Sequence, residues 1–353
     1  MTCLRERSLF VSATLMMVLL ATGTTQAETQ ETRTTINIAS TFPRDIPIAG
    51  TVNTGLSKKI DRLSGGTFSV AFHEPNELAP AKEVISAVSE GKIDGAWSGA
   101  GWFSSKDSAF NFFSSVPFGP SISEYLAWLY EGGGLDLSRQ MFHKYNVHNV
   151  PCGMISPEAA GWFPKEIRNV EDLSGLRMRI FGLGAMVMQK LGVETVQLTS
   201  TDLMTAFESG EVDAAEYSAP AIDQPLGFSK YAKFYYFPGW QQQATLFMLF
   251  INKTRWDALP DQHKAMIEIT CGDVMRGMIA KSEAVQWRAM NQLRMDGVIF
   301  KRWEPELLVA FEDAWLEVAA EQSANTPNFK RVYDSYIEFR KNYAMWRRFS
   351  FLQ

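Results

Sequence analysis

Histidine and cysteine are scarce in this chain. The four histidines, His73, His143, His148 and His263, are scattered without ligand spacing, so there is no His/Cys cluster for zinc. Of the three cysteines, Cys3 lies in a leader-like N-terminus, which leaves Cys152 and Cys271. Whether these two pair or stay as buried thiols depends on a distance the sequence does not contain. An excess of positive charge is also missing: 34 Lys and Arg face 39 Asp and Glu, with no basic stripe, which argues against a nucleic-acid partner. Long blocks of one charge and low-complexity tracts are absent. So are a P-loop, a G-x-S-x-G elbow and a dinucleotide fingerprint between strand and helix. Without a nucleophile and a partnered base, an enzyme is disfavoured. Long apolar runs are few. Leu9 to Ala21 is too short to span a bilayer comfortably, and Thr245 to Ile251 (TLFMLFI) is short and β-like.

What is present points to an exported protein with a sizeable core. Of 353 residues, 46% are hydrophobic, enough for two ordinary cores, and two lobes are expected. Arg5 and Arg7 precede the apolar run, and Thr25-Gln26-Ala27 offers small residues at a cleavage point. Residues 1–27 therefore read as a secretory signal peptide, the alternative being an N-terminal anchor. No cysteine follows the run at a lipoprotein position. The mature chain is expected to be soluble and periplasmic.

Strand signals at Thr34 to Ala39 and Thr67 to Phe72 enclose a helical stretch, Gly50 to Leu63. A helix over Ala81 to Glu90 stops at Gly91 and leads into a buried strand ending at Trp97. This alternation predicts an α/β fold with parallel pairing. AVSEGKIDGAW (Ala87 to Trp97) and AFESGEVDAAE (Ala206 to Glu216) share a pattern of helix end, glycine, aspartate and small residues. If they are equivalent, Trp97 and Glu216 end corresponding strands on facing lobes, where ligands of open α/β sheets bind. Toward the C-terminus, Tyr333, Tyr336, Phe339, Tyr343 and Trp346 recur at helical spacing. Such a helix needs cover, either from its own lobe or from a second copy in a homodimer.

Leu176 to Tyr217 (LRMRIFGLGAMVMQKLGVETVQLTSTDLMTAFESGEVDAAEY) carries the densest information. Arg177 and Arg179 flank Met178 on a short strand and are expected to point to opposite faces, so that only one would face a cleft, where its planar fork would grip a carboxylate. Glu216 closes an apolar strand and, once buried, needs a cation, a donor or a proton. Glu158 lies just before another strand, and two carboxylates with carbonyl oxygens suit a hard cation, Ca²⁺ or Na⁺. Trp97, Trp102, Phe103, Tyr217 and Trp240 lie at or near strand ends and could wall a small pocket, although aromatics more often pack cores.

LSGLRMRIFGLGAMVMQKLG, TSTDLMTAFESGEVDAAEY, FNFFSSVPFGP with LAWLYEGGG, and YYFPGW resemble the extracytoplasmic solute receptors of tripartite ATP-independent periplasmic (TRAP) transporters over nearly the whole mature length. The closest resemblance is to the branch that binds 2-oxo or 2-hydroxy monocarboxylates, such as pyruvate or lactate, with a metal cation. The resemblance implies a two-lobed α/β periplasmic binding protein, type II-like, with hinge crossings and a long C-terminal helix. Residues 34–154 and 245–290 would form one lobe, 155–244 and 291–312 the other, and 313–353 the C-terminal helices. It makes Arg179 the carboxylate clamp. It makes Glu158, Glu216 and Tyr217 part of the metal and ligand site; Gln242 is expected as a further metal ligand, and Trp97, Trp102 and Trp240, from their strand-end positions, are expected beside the substrate. It also implies membrane permease subunits as partners and a helix-swapped dimer. In the branch a glutamine precedes G-W-F and binds the metal; here Glu158 stands in that position, and its added charge favours Ca²⁺. Tyr217 replaces a frequent tryptophan, and Gly101-Trp102-Phe103 a tyrosine-rich wall, so the ligand's side chain stays open. The competing reading is an exported metal-dependent enzyme using Glu158 and Glu216 on a small organic acid.

Overall fold

Eleven strands form two sheets in a computed structural model that describes residues 33–350. The expected signal peptide lies outside the described residues. In chain order the strands are β1 (Thr34–Ser40), β2 (Phe68–His73), β3 (Gly95–Ser98), β4 (Val147–Ile155), β5 (Gly161–Phe163), β6 (Arg177–Arg179), β7 (Glu194–Val196), β8 (Ala214–Ala215), β9 (Phe234–Phe237), β10 (Thr245–Asn252) and β11 (Ile299–Arg302). The helices are α1 (Thr51–Leu63), α2 (Val84–Ser89), α3 (Ile122–Glu131), α4 (Gly134–His143), α5 (Gly182–Lys190), α6 (Ser200–Ser209), α7 (Pro220–Asp223), α8 (Lys253–Asp257), α9 (Asp261–Ala284), α10 (Gln286–Met295), α11 (Pro305–Asn325) and α12 (Pro327–Ser350).

The first sheet has the order β2-β1-β3-β10-β4 and the second β11-β9-β5-β8-β6-β7. Pairing is mixed, which corrects the expectation of parallel strands. β1 runs parallel to β2 and β3, but β10 is antiparallel to β3 and β4, and β5 is antiparallel to β8 and β9. The cause is the route of the chain. β4 leaves the first sheet and continues into β5 of the second, while β9 returns into β10. A strand that arrives straight from the other lobe, with no helical crossover, enters against its neighbours. All residues of β4 and β10 are buried, so the TLFMLFI run reads as a central strand covered on both faces.

The two repeat-like segments fold alike. α2 ends at Gly91 (φ 72°) before β3, and α6 ends at Gly210 (φ 70°) before β8. Left-handed glycine caps turn each helix into its strand at little steric cost.

Cys152 on β4 and Cys271 on α9 form a disulfide, with Cα atoms 4.2 Å apart and 119 residues of sequence separation. Closing so long a loop restricts the unfolded chain, and such links typically contribute about 2–4 kcal/mol. Reduction under mild denaturant should lower the melting temperature by several degrees. An unchanged melting curve, with reduction verified by thiol titration, would assign the stability to packing around the two sulfurs alone.

The aromatic C-terminal helix divides. Phe329, Val332 and Tyr336 in the first half of α12 are buried on the chain's own core, with Tyr336 edge-on to Trp128 at 5.2 Å. Arg340 donates to the buried Glu124 carboxylate at 3.1 Å and to the Phe118 carbonyl at 2.8 Å. Beyond that anchor, Met345, Trp346 and Phe349 are 71%, 61% and 78% exposed, too much apolar surface for a helix end that has finished packing. Among the described residues no helix is long and apolar enough to cross a membrane.

Candidate ligand-binding cleft

Two segments that cross between the sheets carry the polar centre. Residues 156–160 link β4 to β5 and hold Glu158; residues 238–244 link β9 to β10 and hold Gln241 and Gln242. They run in contact: the Glu158 amide donates to the Gln242 carbonyl at 3.1 Å, and the Gly239 amide to the Glu158 carbonyl at 3.0 Å. A Cβ at position 239 would sit 2.3 Å from that carbonyl oxygen, so only glycine permits the approach.

β6 and β8 supply the charged pair. The Glu216 amide donates to the Arg179 carbonyl at 2.8 Å, which sets the two residues side by side at neighbouring strand ends. Arg179 is 3% exposed and Glu216 is fully buried. Arg179 Nη1 donates to Glu216 Oε2 at 2.9 Å and to the Glu216 carbonyl, while Nε donates to the Leu198 carbonyl at 3.1 Å. Nη2 makes no hydrogen bond to protein among the described residues. Arg177 instead lies exposed and pairs with Asp213 through Nε at 2.9 Å and Nη2 at 2.6 Å. Only one arginine reaches the cleft, but not because their side chains alternate. Residues two apart on a strand share a face. Depth along the strand separates them, with Arg177 at its exposed start and Arg179 at its covered end.

Gln242 joins the two carboxylates. Its Nε2 donates to Glu216 Oε1 at 2.9 Å and to Glu158 Oε2, while Ser115 Oγ donates to its Oε1 at 2.7 Å. Thr245 Oγ1 donates to Glu158 Oε1 at 3.0 Å. Burial, then the neighbouring Glu216 charge, push the Glu158 carboxyl well above the usual carboxylate range. Burial also raises Glu216, against the opposing pull of Arg179. Asp223 at the end of α7 accepts from Trp162 Nε1 and the Tyr235 hydroxyl, and burial pushes it up to about 7. The region thus holds more buried carboxylate than guanidinium, an imbalance that a proton or a cation must relieve. Two glutamates and a side-chain amide offer hard oxygen donors, which fits Ca²⁺ or Na⁺ and does not fit zinc. Among the described residues no cluster of three or more Asp, Glu, His or Cys could complete a cation shell alone. The remaining oxygens would have to come from backbone, water or ligand.

A cavity of about 60 Å³ opens onto this centre. At roughly 10–15 Å³ per water-sized position, it takes a ligand of few heavy atoms. Glu158, Arg179, Tyr217 and Gln242 line it, and Trp102 forms part of its wall; Glu216 lies behind Arg179 and Gln242. Three expected wall residues are elsewhere. Trp97 is fully buried one layer back, its Nε1 donating to the Ala49 carbonyl at 3.3 Å and its ring against Phe42 and Phe247. Trp240 turns into the core against Phe118 and Phe311. Phe103 is buried beside Phe110. In place of Trp97, Phe103 and Trp240, the apolar wall is made by Phe42, Phe181, Ile155, Ile222 and Phe247. Phe42 could have been found by the strand-end rule, since it lies two residues past β1; Thr245 and Ser115 carry no local signal.

Two α/β lobes joined by paired crossings, with a small cavity polar at one end and apolar around it, define a solute-binding protein. The profile of the DctP family, bacterial extracellular solute-binding protein family 7, matches residues 38–325, and the chain belongs to that family. The chain is thus a binding receptor and not an enzyme. It is 32% identical to a monocarboxylate 2-oxoacid-binding periplasmic protein of Nostoc sp. over 83% of this chain and 80% of that one. It is similar in fold to a TRAP transporter solute-binding protein of Bordetella bronchiseptica, a mixed-occupancy dimer with copurified calcium and picolinate in its site. The TM-score is 0.88, with 31% identity over 90% of this chain and 95% of that one. A TRAP periplasmic solute-binding protein of Pseudoalteromonas atlantica holding sodium and pyruvate matches with a TM-score of 0.86 and 28% identity over 90% and 97%.

Proposed function

We propose that this chain is the periplasmic receptor of a TRAP transporter, taking up a small 2-oxo or 2-hydroxy monocarboxylate, such as pyruvate or lactate, together with a cation, for delivery to a membrane permease. The observation that carries the reading is the convergence of Arg179, Glu158 and Gln242 on one small cavity, with Glu216 directly behind. Arg179 grips the ligand carboxylate with Nη2, the guanidinium nitrogen that makes no hydrogen bond among the described residues. Glu158, Glu216 and the Gln242 amide oxygen hold the cation, with Tyr217 beside them, and the cation supplies a positive partner for the ligand's carboxylate and 2-oxygen. The Gln242 amide can serve in this way because its two ends are nearly alike in shape and only one is an oxygen donor.

Charge decides between the cations. One guanidinium faces two buried carboxylates and the ligand's own, an excess of two negative charges. Ca²⁺ cancels that excess and Na⁺ leaves one, so Ca²⁺ is favoured. Because the ligand touches both lobes only when they are together, its binding favours the closed arrangement. The exposed end of α12, with Met345, Trp346 and Phe349, is the surface for a homodimer contact.

Mass spectrometry of the small molecule that co-purifies, with metal analysis of the same sample, tests the reading. A 2-oxo or 2-hydroxy acid is expected at near-stoichiometric calcium, and added pyruvate should exchange with it in calorimetry. Release of a transformed product from candidate acids would instead revive the enzyme reading.

A further inference from the structure

We propose that Phe181 is a positioning residue for the Arg179 clamp, locked in place by Trp102 and the bare backbone of Gly101 from the facing lobe. The inference rests on the receptor reading above. Among the described residues, hydrogen bonds hold Arg179 by its Nε and Nη1 edges. Its flat faces are held by rings: the guanidinium carbon lies 5.1 Å from the centre of Tyr217 and 5.7 Å from that of Phe181. Such contacts stiffen a guanidinium that would otherwise pivot about its side-chain torsions. Tyr217 follows β8 on the same sheet as Arg179, so its contact is internal to one lobe.

Phe181 is different. Its ring stacks on Trp102, with centroids 6.0 Å apart and planes 21° apart. Trp102 sits on a 3₁₀ turn, Ala100–Phe103, that follows β3 of the other sheet. Beside it, a Cβ at Gly101 would lie 3.0 Å from Phe181 Cε2 and 3.2 Å from Asn111 Oδ1. The turn therefore presents one ring and one patch without a side chain, and Phe181 fits both. The rings run in series, Trp102 to Phe181 to Arg179 to Tyr217, across the cleft. Bringing the lobes together completes the stack, and the clamp becomes rigid when the cavity is covered. Phe181 thereby links closure to carboxylate grip, and its loss should speed ligand escape more than it slows entry.

The test uses the mature full-length protein with pyruvate and excess Ca²⁺, with rates from stopped-flow tryptophan fluorescence and affinities from calorimetry. Phe181→Leu keeps apolar bulk and removes the π face. It should raise the dissociation rate about fivefold to thirtyfold, the scale of one or two cation–π and ring contacts, with the association rate within about threefold of wild type. Gly101→Ala should weaken binding by about tenfold in the wild-type background and by at least about threefold less in a Phe181→Ala background, where the added methyl meets no ring and only Asn111 Oδ1 and Ser114 Oγ stay close. Unchanged dissociation in Phe181→Leu would overturn the proposal, as would an undiminished Gly101→Ala penalty in the Phe181→Ala chain. Melting curves of the ligand-free variants identify a misfolded chain, and in that case Trp102→Leu, on the facing turn, must give the same rise in dissociation rate or the proposal falls. Wild-type protein that binds no pyruvate would sink the receptor reading for this ligand; wild-type binding with silent variants would sink only the role of Phe181.

Discussion

Replacing Arg179 with alanine should weaken pyruvate binding by about a hundredfold or more. A charge-assisted hydrogen bond contributes about 1.5–3 kcal/mol, and the ligand carboxylate would lose its fork of donors at once. The loss grows because the ligand's anion and Glu216 would both be left in a buried setting without their cation. The same change should destabilise the ligand-free protein, since breaking a buried pair from one side typically costs about 3–5 kcal/mol. Arg179→Lys separates charge from shape: it keeps the positive charge but lacks the planar fork, and should recover stability better than affinity. Calorimetry and thermal melts of both variants check this. Wild-type affinity in Arg179→Ala would remove the clamp from the mechanism.

The second large effect is expected on removing the cation. Chelation should lower pyruvate affinity and melting temperature together, because an ion that bridges protein and ligand stabilises only the folded, loaded state. At calcium about a hundred times its dissociation constant the stabilisation is roughly 2.7 kcal/mol, or about 4 °C for a chain of this size. Acid should act in the same direction. Burial and the Glu216 charge raise the Glu158 carboxyl, so the cation-free pair retains a proton where an ordinary glutamate would have lost it. Cation binding must expel that proton, so apparent calcium affinity rises with pH until Glu158 is fully ionised. Proton release should be visible in calorimetry by comparing buffers of different ionisation enthalpy. Glu158→Gln removes one charge from the excess of two and should shift preference from Ca²⁺ toward Na⁺. If metal is verifiably absent and neither affinity nor melting temperature moves, the bridge does not exist.

Much of the site could be read locally. Arg179, Glu216 and Tyr217 stand at the ends of short strands whose order follows from helix, glycine and strand signals in sequence. Glu158 stood out as a second carboxylate just before a strand, and Gln242 was expected with it in the metal set. Trp97 and Trp240 were misplaced because a strand-end position does not say which way a side chain points. Trp97 packs against Phe247 behind the cavity, and Trp240 turns onto Phe118 and Phe311 in the core. Phe181 was hidden for another reason: its partners are Trp102 and Gly101, about eighty residues earlier in the chain.

Sequence by itself determined the α/β class, the strand and helix elements, the charges available to a ligand and the family. Periodicity, caps and composition are properties of neighbouring residues, and they act before any lobe forms. Tertiary structure decided the antiparallel entry of β10, the Cys152–Cys271 link, the parting of Arg177 from Arg179 by depth, and the meeting of Glu158 with Glu216 through Gln242. Each of these depends on where the chain crosses between sheets, and such crossings set distances among residues whose local patterns are independent of one another.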